Sequence, residues 1–153
     1  MRAAIVRLGP ADIDRVRALN TMFGKAFEDP DSYAKAPPGE AYVQQILGRD
    51  EVIALAAIEE DEVIGGLVAY VLPMLEQERS EIYIYDLAVA EDHRRQGVAT
   101  ALIAELQRHA ADLGAWMIYV QADHGDDPAI ALYTGLGRRE DVLHFDIPPR
   151  PTT

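Results

Sequence analysis

The chain has 153 residues, of which 49% are hydrophobic and none is cysteine, and its formal net charge at pH 7 is −12. This length and apolar content fit one domain with a hydrophobic core, and the lack of cysteine excludes disulfides, thiolate zinc sites and a cysteine nucleophile. The excess of acidic residues argues against broad nucleic-acid binding, because neutralising phosphates requires basic surface.

The first third of the chain predicts a strand and a helix, followed by a loop and a second, shorter helix. Residues 4–8 are apolar and predict a short strand, and residues 10–27 carry apolar side chains at helical spacing. Residues 28–40 are rich in proline, glycine and aspartate, which indicates a loop. A short helix is expected at residues 42–47.

The middle of the chain predicts a hairpin, a third strand and a long helix. Residues 52–58 and 63–72 read as strands on either side of a short acidic turn. A strand over residues 82–89 is followed by a helix from about residue 97 to 113. Apolar side chains occur at every second residue in the strand and at every third or fourth residue in the helix.

The last third predicts a strand, a short helix and a closing strand. The strand begins at residue 116, and the helix has Asp126 or Asp127 as its cap and Pro128 in its first turn. Residues 140–147, EDVLHFDI, predict the last strand. Helices interleaved with strands, together with an antiparallel hairpin, indicate an α/β fold with a mixed sheet.

The segment HRRQGVATAL, residues 93–102, lies between the third strand and the long helix. Its position presents the free N–H groups of a helix start, with the positive end of the helix dipole, beside two arginines. Gly97 allows another group to approach the backbone closely. The segment therefore favours a phosphate-bearing ligand, with a solvated basic turn that merely begins a helix as the alternative.

Other ligand sites fit the sequence poorly. Neither the phosphate-loop string G-x-x-x-x-G-K-[ST] nor the dinucleotide string G-x-G-x-x-G occurs in the chain. The four histidines include no H-x-x-x-H pair, so we predict no metal site.

The string RRQGVA, residues 94–99, resembles the coenzyme A pyrophosphate loop of the GNAT superfamily of N-acetyltransferases, whose pattern is [RQ]-x-x-G-x-[GA]. A second string, ALYTGLG at residues 131–137, resembles the late helix of that superfamily, where a tyrosine lies near the coenzyme A sulfur. The resemblance implies the GNAT fold, a mixed central sheet flanked by helices. It also implies a single domain over residues 1–153, whose tail from about residue 148 we expect to be flexible.

Between about residues 53 and 147, the chain also looks like the aminoglycoside 3-N-acetyltransferases of the gentamicin-modifying type. The strings EIYIYDLAV, HRRQGVATALI and HFDI carry this closer resemblance. It implies acetylation of the 3-amino group of 2-deoxystreptamine by acetyl-CoA, through a ternary complex and without a metal, conferring antibiotic resistance. A homodimer is a further expectation from the same resemblance.

The resemblance also implies which residues bind the co-substrate. Leu87, Ala88 and Val89 are expected beside the pantetheine arm, offering backbone hydrogen bonds as an added strand would. The N–H of Val89 would polarise the thioester carbonyl and stabilise the oxyanion of the tetrahedral intermediate. The pyrophosphate would be held mainly by main-chain N–H groups of Arg94, Arg95, Gln96, Gly97, Val98, Ala99 and Thr100.

Tyr133, in ALYTGLG, is implied to contact the co-substrate and to donate a proton to the departing thiolate. The spacing of Ala129, Leu132, Tyr133 and Leu136 also fits a packing stripe, in which Tyr133 only fills space.

The acceptor amine must lose a proton before it attacks, and Asp86 is the first candidate for the base. Strand alternation places Asp86 on the face of Ile82, Ile84 and Ala88, where a carboxylate is either buried with a partner or faces a cleft. A second acidic group can bind ammonium groups of the substrate, and one of its members is an alternative candidate for the base. Helix capping is the alternative role for Asp126 and Asp127. The members of this group are Asp123, Asp126, Asp127 and Asp146.

The charge distribution fits two substrates of opposite charge, an anionic co-substrate at the basic turn and a cationic aminoglycoside at carboxylates. Two other functions stay open. One is an acetyltransferase for a polyamine or a protein lysine, and the other is a non-catalytic module that binds acyl-CoA. The N-terminal sequence MRAAIVRLGP and the lack of any long apolar run predict a cytoplasmic protein with no membrane partner.

Overall fold

The structure is a computed structural model that describes residues 3–152. The chain divides into two compact units, one ending at residue 121 and the other beginning at residue 122. The single domain over residues 1–153 stays a prediction, and Met1, Arg2 and Thr153 lie outside the described residues. The helices and strands are β1 (Ala4–Arg7), α1 (Ile13–Ala26), α2 (Pro30–Ala34), α3 (Glu40–Leu47), β2 (Val52–Glu59), β3 (Glu62–Pro73), β4 (Ser80–Val89), α4 (Val98–Leu113), β5 (Ala115–Val120) and α5 (Asp127–Thr134).

The first unit contains a five-stranded mixed sheet in the order β1-β2-β3-β4-β5. The first four strands pair antiparallel with their neighbours, and β5 runs parallel to β4. The β2–β3 hairpin closes through Glu60 and Asp61, whose φ angles of 50° and 65° suit a two-residue turn between twisted strands. The predicted hairpin and mixed sheet are thus confirmed.

Helices α1 and α4 cover opposite faces of this sheet, as two adjacent glycines of β3 make clear. A Cβ at Gly66 would overlap the Leu19 side chain of α1, whereas one at Gly65 would lie 3.1 Å from the Val98 side chain of α4. Successive strand residues face opposite sides, so the two glycines define an α1 face and an α4 face of the sheet.

The loop predicted for residues 28–40 is wrong over Pro30–Ala34, which form α2. The side chain of Asp29 accepts a hydrogen bond from the Ser32 N–H at 3.2 Å, and Pro30 occupies the first helical position. An aspartate cap followed by proline begins a helix well, and a composition typical of loops hides that signal.

The second unit contains α5, which begins where the sequence predicted. The strand predicted at residues 140–147 is wrong, since the described residues have no strand there. Val142, Leu143, Phe145 and Ile147 are exposed, and a strand requires a neighbour for its backbone groups as well as an alternating sequence. The flexibility of the tail from residue 148 stays a prediction, and its last residue lies outside the described part.

Among residues 3–152, no helix combines the length and apolar character needed to cross a bilayer.

Candidate active site

Strand β4 contains a bulge at Tyr85 that decides where Asp86 points. Val68 of β3 pairs with Asp86, but the next residue, Ala69, pairs with Ile84, so Tyr85 is an extra residue on β4. The extra residue reverses the alternation. The prediction that Asp86 shares a face with Ile82 and Ile84 is therefore wrong.

Beyond the bulge, Asp86 lies on the α1 face of the sheet together with Ala88. Ala88 pairs with Gly66, which faces Leu19 of α1, and both Ala88 and Val68 pack against the hydrophobic core beside α1. Val89 pairs with Gly65 and therefore lies on the α4 face.

The Asp86 carboxylate has a hydrogen-bond partner that no sequence pattern predicted. The Tyr33 hydroxyl of α2 donates to Asp86 Oδ1 at 2.7 Å, and both groups are half-buried. Burial raises the pKa of Asp86, and the hydrogen bond from Tyr33 opposes that rise. Burial and the Asp86 carboxylate together raise the pKa of Tyr33 well above its usual range, so its hydroxyl remains a donor.

Four further tyrosines, the tyrosine cluster, lie beside this pair. The rings of Tyr83 and Tyr119 stack at 4.8 Å, and Tyr85 meets Tyr70 and Tyr83 edge-on at 5.9 and 5.8 Å. Burial raises the pKa of Tyr70, and the nearby Asp86 charge raises it further. The carboxylate thus lies among aromatic side chains that come from different parts of the chain.

Strands β4 and β5 separate within the first unit. Their pairing ends at Ile84 and Val120, so residues 85–89 of β4 have no neighbouring strand on that side within this unit. The Ala90 N–H donates to the Ile64 carbonyl, so the register directs the backbone groups of Ala88 to Gly66 of β3. Leu87 and Val89 direct theirs to the free edge, as an extended ligand requires, although Arg94 Nε already donates to the Val89 carbonyl.

The basic turn between β4 and α4 contains two residues in the left-handed backbone conformation, which glycine adopts most easily. Arg95 and Gly97 have φ angles of 62° and 80°, and a Cβ at Gly97 would meet nothing within 4 Å. The Gly97 carbonyl accepts the first helical hydrogen bond, from Ala101 at 3.0 Å. The N–H groups that precede Ala101 in α4 therefore have no acceptor within the helix.

The side chains of this turn differ in their roles. Arg94, Arg95, Gln96 and Thr100 are exposed, and Ala99 is half-buried. Val98 is buried against the sheet, so only its backbone can serve a ligand.

In the second unit, Tyr133 lies in α5 and Asp126 caps that helix. Asp126 Oδ1 accepts a hydrogen bond from the Ala129 N–H at 3.4 Å, so the capping alternative holds for Asp126. Asp127 is the first residue of the helix. Burial, and then the Asp126 charge, raise the pKa of Tyr133, so its hydroxyl stays protonated at neutral pH.

The other two acidic candidates of the second unit are exposed. Asp146 Oδ1 lies 2.8 Å from His144 Nε2, and the backbone carbonyl of Asp123 accepts from the Asp126 N–H at 3.2 Å. The described residues contain no group of three His, Asp or Glu side chains arranged to hold a metal ion.

Comparison with known proteins identifies the family. The profile of the Acetyltransferase (GNAT) family matches residues 17–137. The chain belongs to the GNAT acetyltransferase family. The predicted GNAT fold, a mixed five-stranded sheet flanked by helices, is therefore confirmed.

Solved structures similar to this GNAT chain include two aminoglycoside acetyltransferases from uncultured soil metagenomic samples. HMB0005 is 51% identical, with a TM-score of 0.96, and the match covers 98% of this chain and all of the other. The enzyme meta-AAC0020, solved in complex with sisomicin, is 29% identical over 97% of each chain, with a TM-score of 0.88.

Among curated proteins, this GNAT chain is 35% identical over 102 residues to the mycothiol acetyltransferase of Kocuria rhizophila. That match covers 64% of this chain and 30% of the other protein. The N-alpha-acetyltransferase of Sulfurisphaera tokodaii is 31% identical over 96 residues, covering 56% of this chain and 58% of its own length. The chain thus spans less than two thirds of these curated relatives.

Proposed function

We propose that this GNAT protein transfers the acetyl group of acetyl-CoA to an aminoglycoside, at the 3-amino group of 2-deoxystreptamine in gentamicin-type antibiotics, and so confers resistance. The observation that carries the proposal is the arrangement along β4. A half-buried carboxylate, a free backbone edge and a basic helix start follow one another between Asp86 and Gly97. The 51% identity to an aminoglycoside acetyltransferase supports the choice of acceptor.

Acetyl-CoA is assigned to the basic turn and the free edge of β4. The unpaired N–H groups after Gly97, with Arg94 and Arg95 beside them, suit the pyrophosphate. Leu87 and Val89 offer main-chain groups to the pantetheine arm, Ala88 lies between them with its own groups toward β3, and the N–H of Val89 polarises the thioester carbonyl.

Asp86 is assigned as the base. Its raised pKa makes it a stronger proton acceptor than an exposed aspartate, and its carboxylate also attracts an ammonium group. Asp86 first takes one proton from the ammonium group that it binds. The neutral amine nitrogen then bonds to the acetyl carbon as the carbon–sulfur bond breaks, and the nitrogen releases its second proton to solvent. The thiolate requires a proton too, and Tyr133, protonated at neutral pH, is the donor that the family resemblance suggests.

The remaining ammonium groups of the aminoglycoside are assigned to the acidic residues of the second unit. Asp127 and Asp146 are exposed carboxylates, as is Asp123, while Asp126 uses one oxygen in its cap. Charge-assisted hydrogen bonds to such groups suit a polycation. A homodimer and a cytoplasmic location stay predictions.

Thiol release from acetyl-CoA tests the proposal directly. Parallel reactions contain gentamicin, sisomicin, spermidine, a lysine peptide or no acceptor. We expect release with the two aminoglycosides, and nuclear magnetic resonance of the product should place the acetyl group on the 3-amino nitrogen. Acetylation at another nitrogen would keep the activity but reject the 3-N assignment. Turnover of spermidine or the peptide alone would reject the aminoglycoside acceptor.

A further inference from the structure

We propose that Tyr33 is a positioning residue for the transfer, whose hydroxyl holds the Asp86 carboxylate in place as the proton acceptor. The inference rests on the proposed function, in which Asp86 is the base. The Tyr33 hydroxyl lies 2.7 Å from Asp86 Oδ1, although the two residues are 53 positions apart in sequence.

The corner between α1 and α2 holds the Tyr33 ring in place. Its ring centroid lies 5.9 Å from that of Phe23 and 5.6 Å from that of Phe27. The Asp29 N–H donates to the Gly24 carbonyl at 2.9 Å, and a Cβ at Gly24 would lie 3.4 Å from the Tyr33 Cβ. The corner is therefore closely packed, and the hydroxyl has little freedom to leave the carboxylate.

The bulge at Tyr85 brings the carboxylate to this hydroxyl. Without the extra residue, alternation would turn Asp86 to the α4 face, away from Tyr33. The bulge and the α1–α2 corner must therefore both be present for the contact to form.

The contact leaves one side of the carboxylate available. Within the described residues, Tyr33 is the hydrogen-bond partner of Asp86 Oδ1, and Oδ2 has none. An ammonium group of the acceptor can therefore bind Oδ2 while Tyr33 holds Oδ1. The bond thus orients the carboxylate without using its whole capacity to accept hydrogen bonds.

Among the described residues, three tyrosines have a pKa that the Asp86 charge raises. They are Tyr33 from α2, Tyr70 from β3 and Tyr83 from β4, and Asp29 acts on Tyr33 in turn. Burial and the Tyr33 hydrogen bond are the two causes that set the pKa of Asp86, and they act in opposite directions. Loss of the hydroxyl should therefore leave burial unopposed and raise the pKa of Asp86 further.

The test compares Tyr33→Phe with Tyr83→Phe. Each variant loses one hydroxyl near Asp86, but the Tyr83 hydroxyl bonds to Gln121 Oε1 at 3.0 Å and not to the carboxylate. For Tyr33→Phe we expect kcat with gentamicin to fall roughly tenfold or more. We also expect the acidic limb of the kcat/KM profile to move to higher pH, with unchanged affinity for acetyl-CoA. The acidic limb of Tyr83→Phe should stay where it is in the parent.

Carbon-13 titration of the aspartate carboxyls gives a second readout that does not depend on turnover. The Asp86 signal, identified with Asp86→Asn, should titrate at higher pH in Tyr33→Phe than in the parent. An unchanged Asp86 pKa together with an unchanged acidic limb would overturn the inference. Full turnover by Asp86→Asn would instead reject Asp86 as the base, and a parent protein inactive with every aminoglycoside would reject the proposed function itself.

Discussion

The carbonyl oxygen of Val89 accepts a hydrogen bond from Arg94 Nε at 3.1 Å. This bond ties the last residue of β4 to the first residue of the basic turn before α4. Two parts of the proposed co-substrate site, the free strand edge and the helix start, are therefore held in one arrangement by a single guanidinium.

Arg94→Gln and Arg95→Gln should separate this structural role from the effect of charge. Both variants lose one positive charge, so both should bind acetyl-CoA more weakly, and the loss should shrink at high salt. Only Arg94→Gln loses the bond to Val89, so only this variant should lower the free energy of unfolding, by about 0.5–1.5 kcal/mol. Urea denaturation and calorimetry measure the two effects. Equal stability of the two variants would contradict the structural role of Arg94.

Gly97→Glu should block the helix start. Nothing in the protein lies within 4 Å of a Cβ at Gly97, so the new side chain would occupy the space assigned to the pyrophosphate and repel it. Acetyl-CoA affinity should fall more than tenfold, beyond ~1.4 kcal/mol, by calorimetry. Gly114→Glu is the matched control, because Gly114 ends the same helix with a similar φ of 71° and open space around it. Equal affinities in the two folded variants would reject the phosphate site.

Asp86→Asn should lower kcat about a hundredfold or more while leaving the fold intact. The folded-state pKa of Asp86 is raised, so protonation stabilises the folded protein at low pH, and this contribution is lost as pH rises through that pKa. At pH 8 the charged carboxylate therefore lowers the stability of the folded protein, and asparagine removes that charge. Calorimetric melting at pH 8 should give Asp86→Asn a Tm equal to or above that of the parent, and a clearly lower Tm would contradict this account.

Tyr133→Phe keeps the ring of Tyr133 and removes only its hydroxyl. If the hydroxyl donates a proton to the thiolate, kcat should fall with little change in Tm. The exposed Tyr42 of α3 provides a control, Tyr42→Phe, for the loss of a tyrosine hydroxyl elsewhere. Full turnover of Tyr133→Phe across the pH range would mean that Tyr133 only packs.

Binding of a polycation by exposed carboxylates should weaken with salt, because such charges are screened over about 8–10 Å near physiological ionic strength. The KM for gentamicin should therefore rise with added sodium chloride. Asp146→Asn should raise KM and flatten this dependence, whereas Asp112→Asn, an exposed change in α4, should leave it as in the parent. A KM that does not respond to salt would remove the carboxylates from the acceptor site.

Most helices and strands could be predicted from the sequence by itself, because they depend on local residue patterns. Apolar spacing predicted α1 and α4, a short acidic turn between two strands predicted the β2–β3 hairpin, and RRQGVA marked the helix start. These signals depend on residues close together in the chain, so a single sequence contains them. The strand predicted at residues 140–147 failed because alternation describes a strand only when a neighbouring strand is present.

The tertiary structure alone decided the geometry around Asp86. The bulge at Tyr85 depends on the register between β3 and β4, and it reverses the face on which alternation had placed the carboxylate. Tyr33 meets Asp86 only because α2 folds back on α1, in a segment whose composition indicated a loop. The sequence around Tyr33 does not predict its contact with Asp86, nor does the sequence around Asp86. A hydrogen bond between distant parts of the chain depends on how whole helices and strands pack.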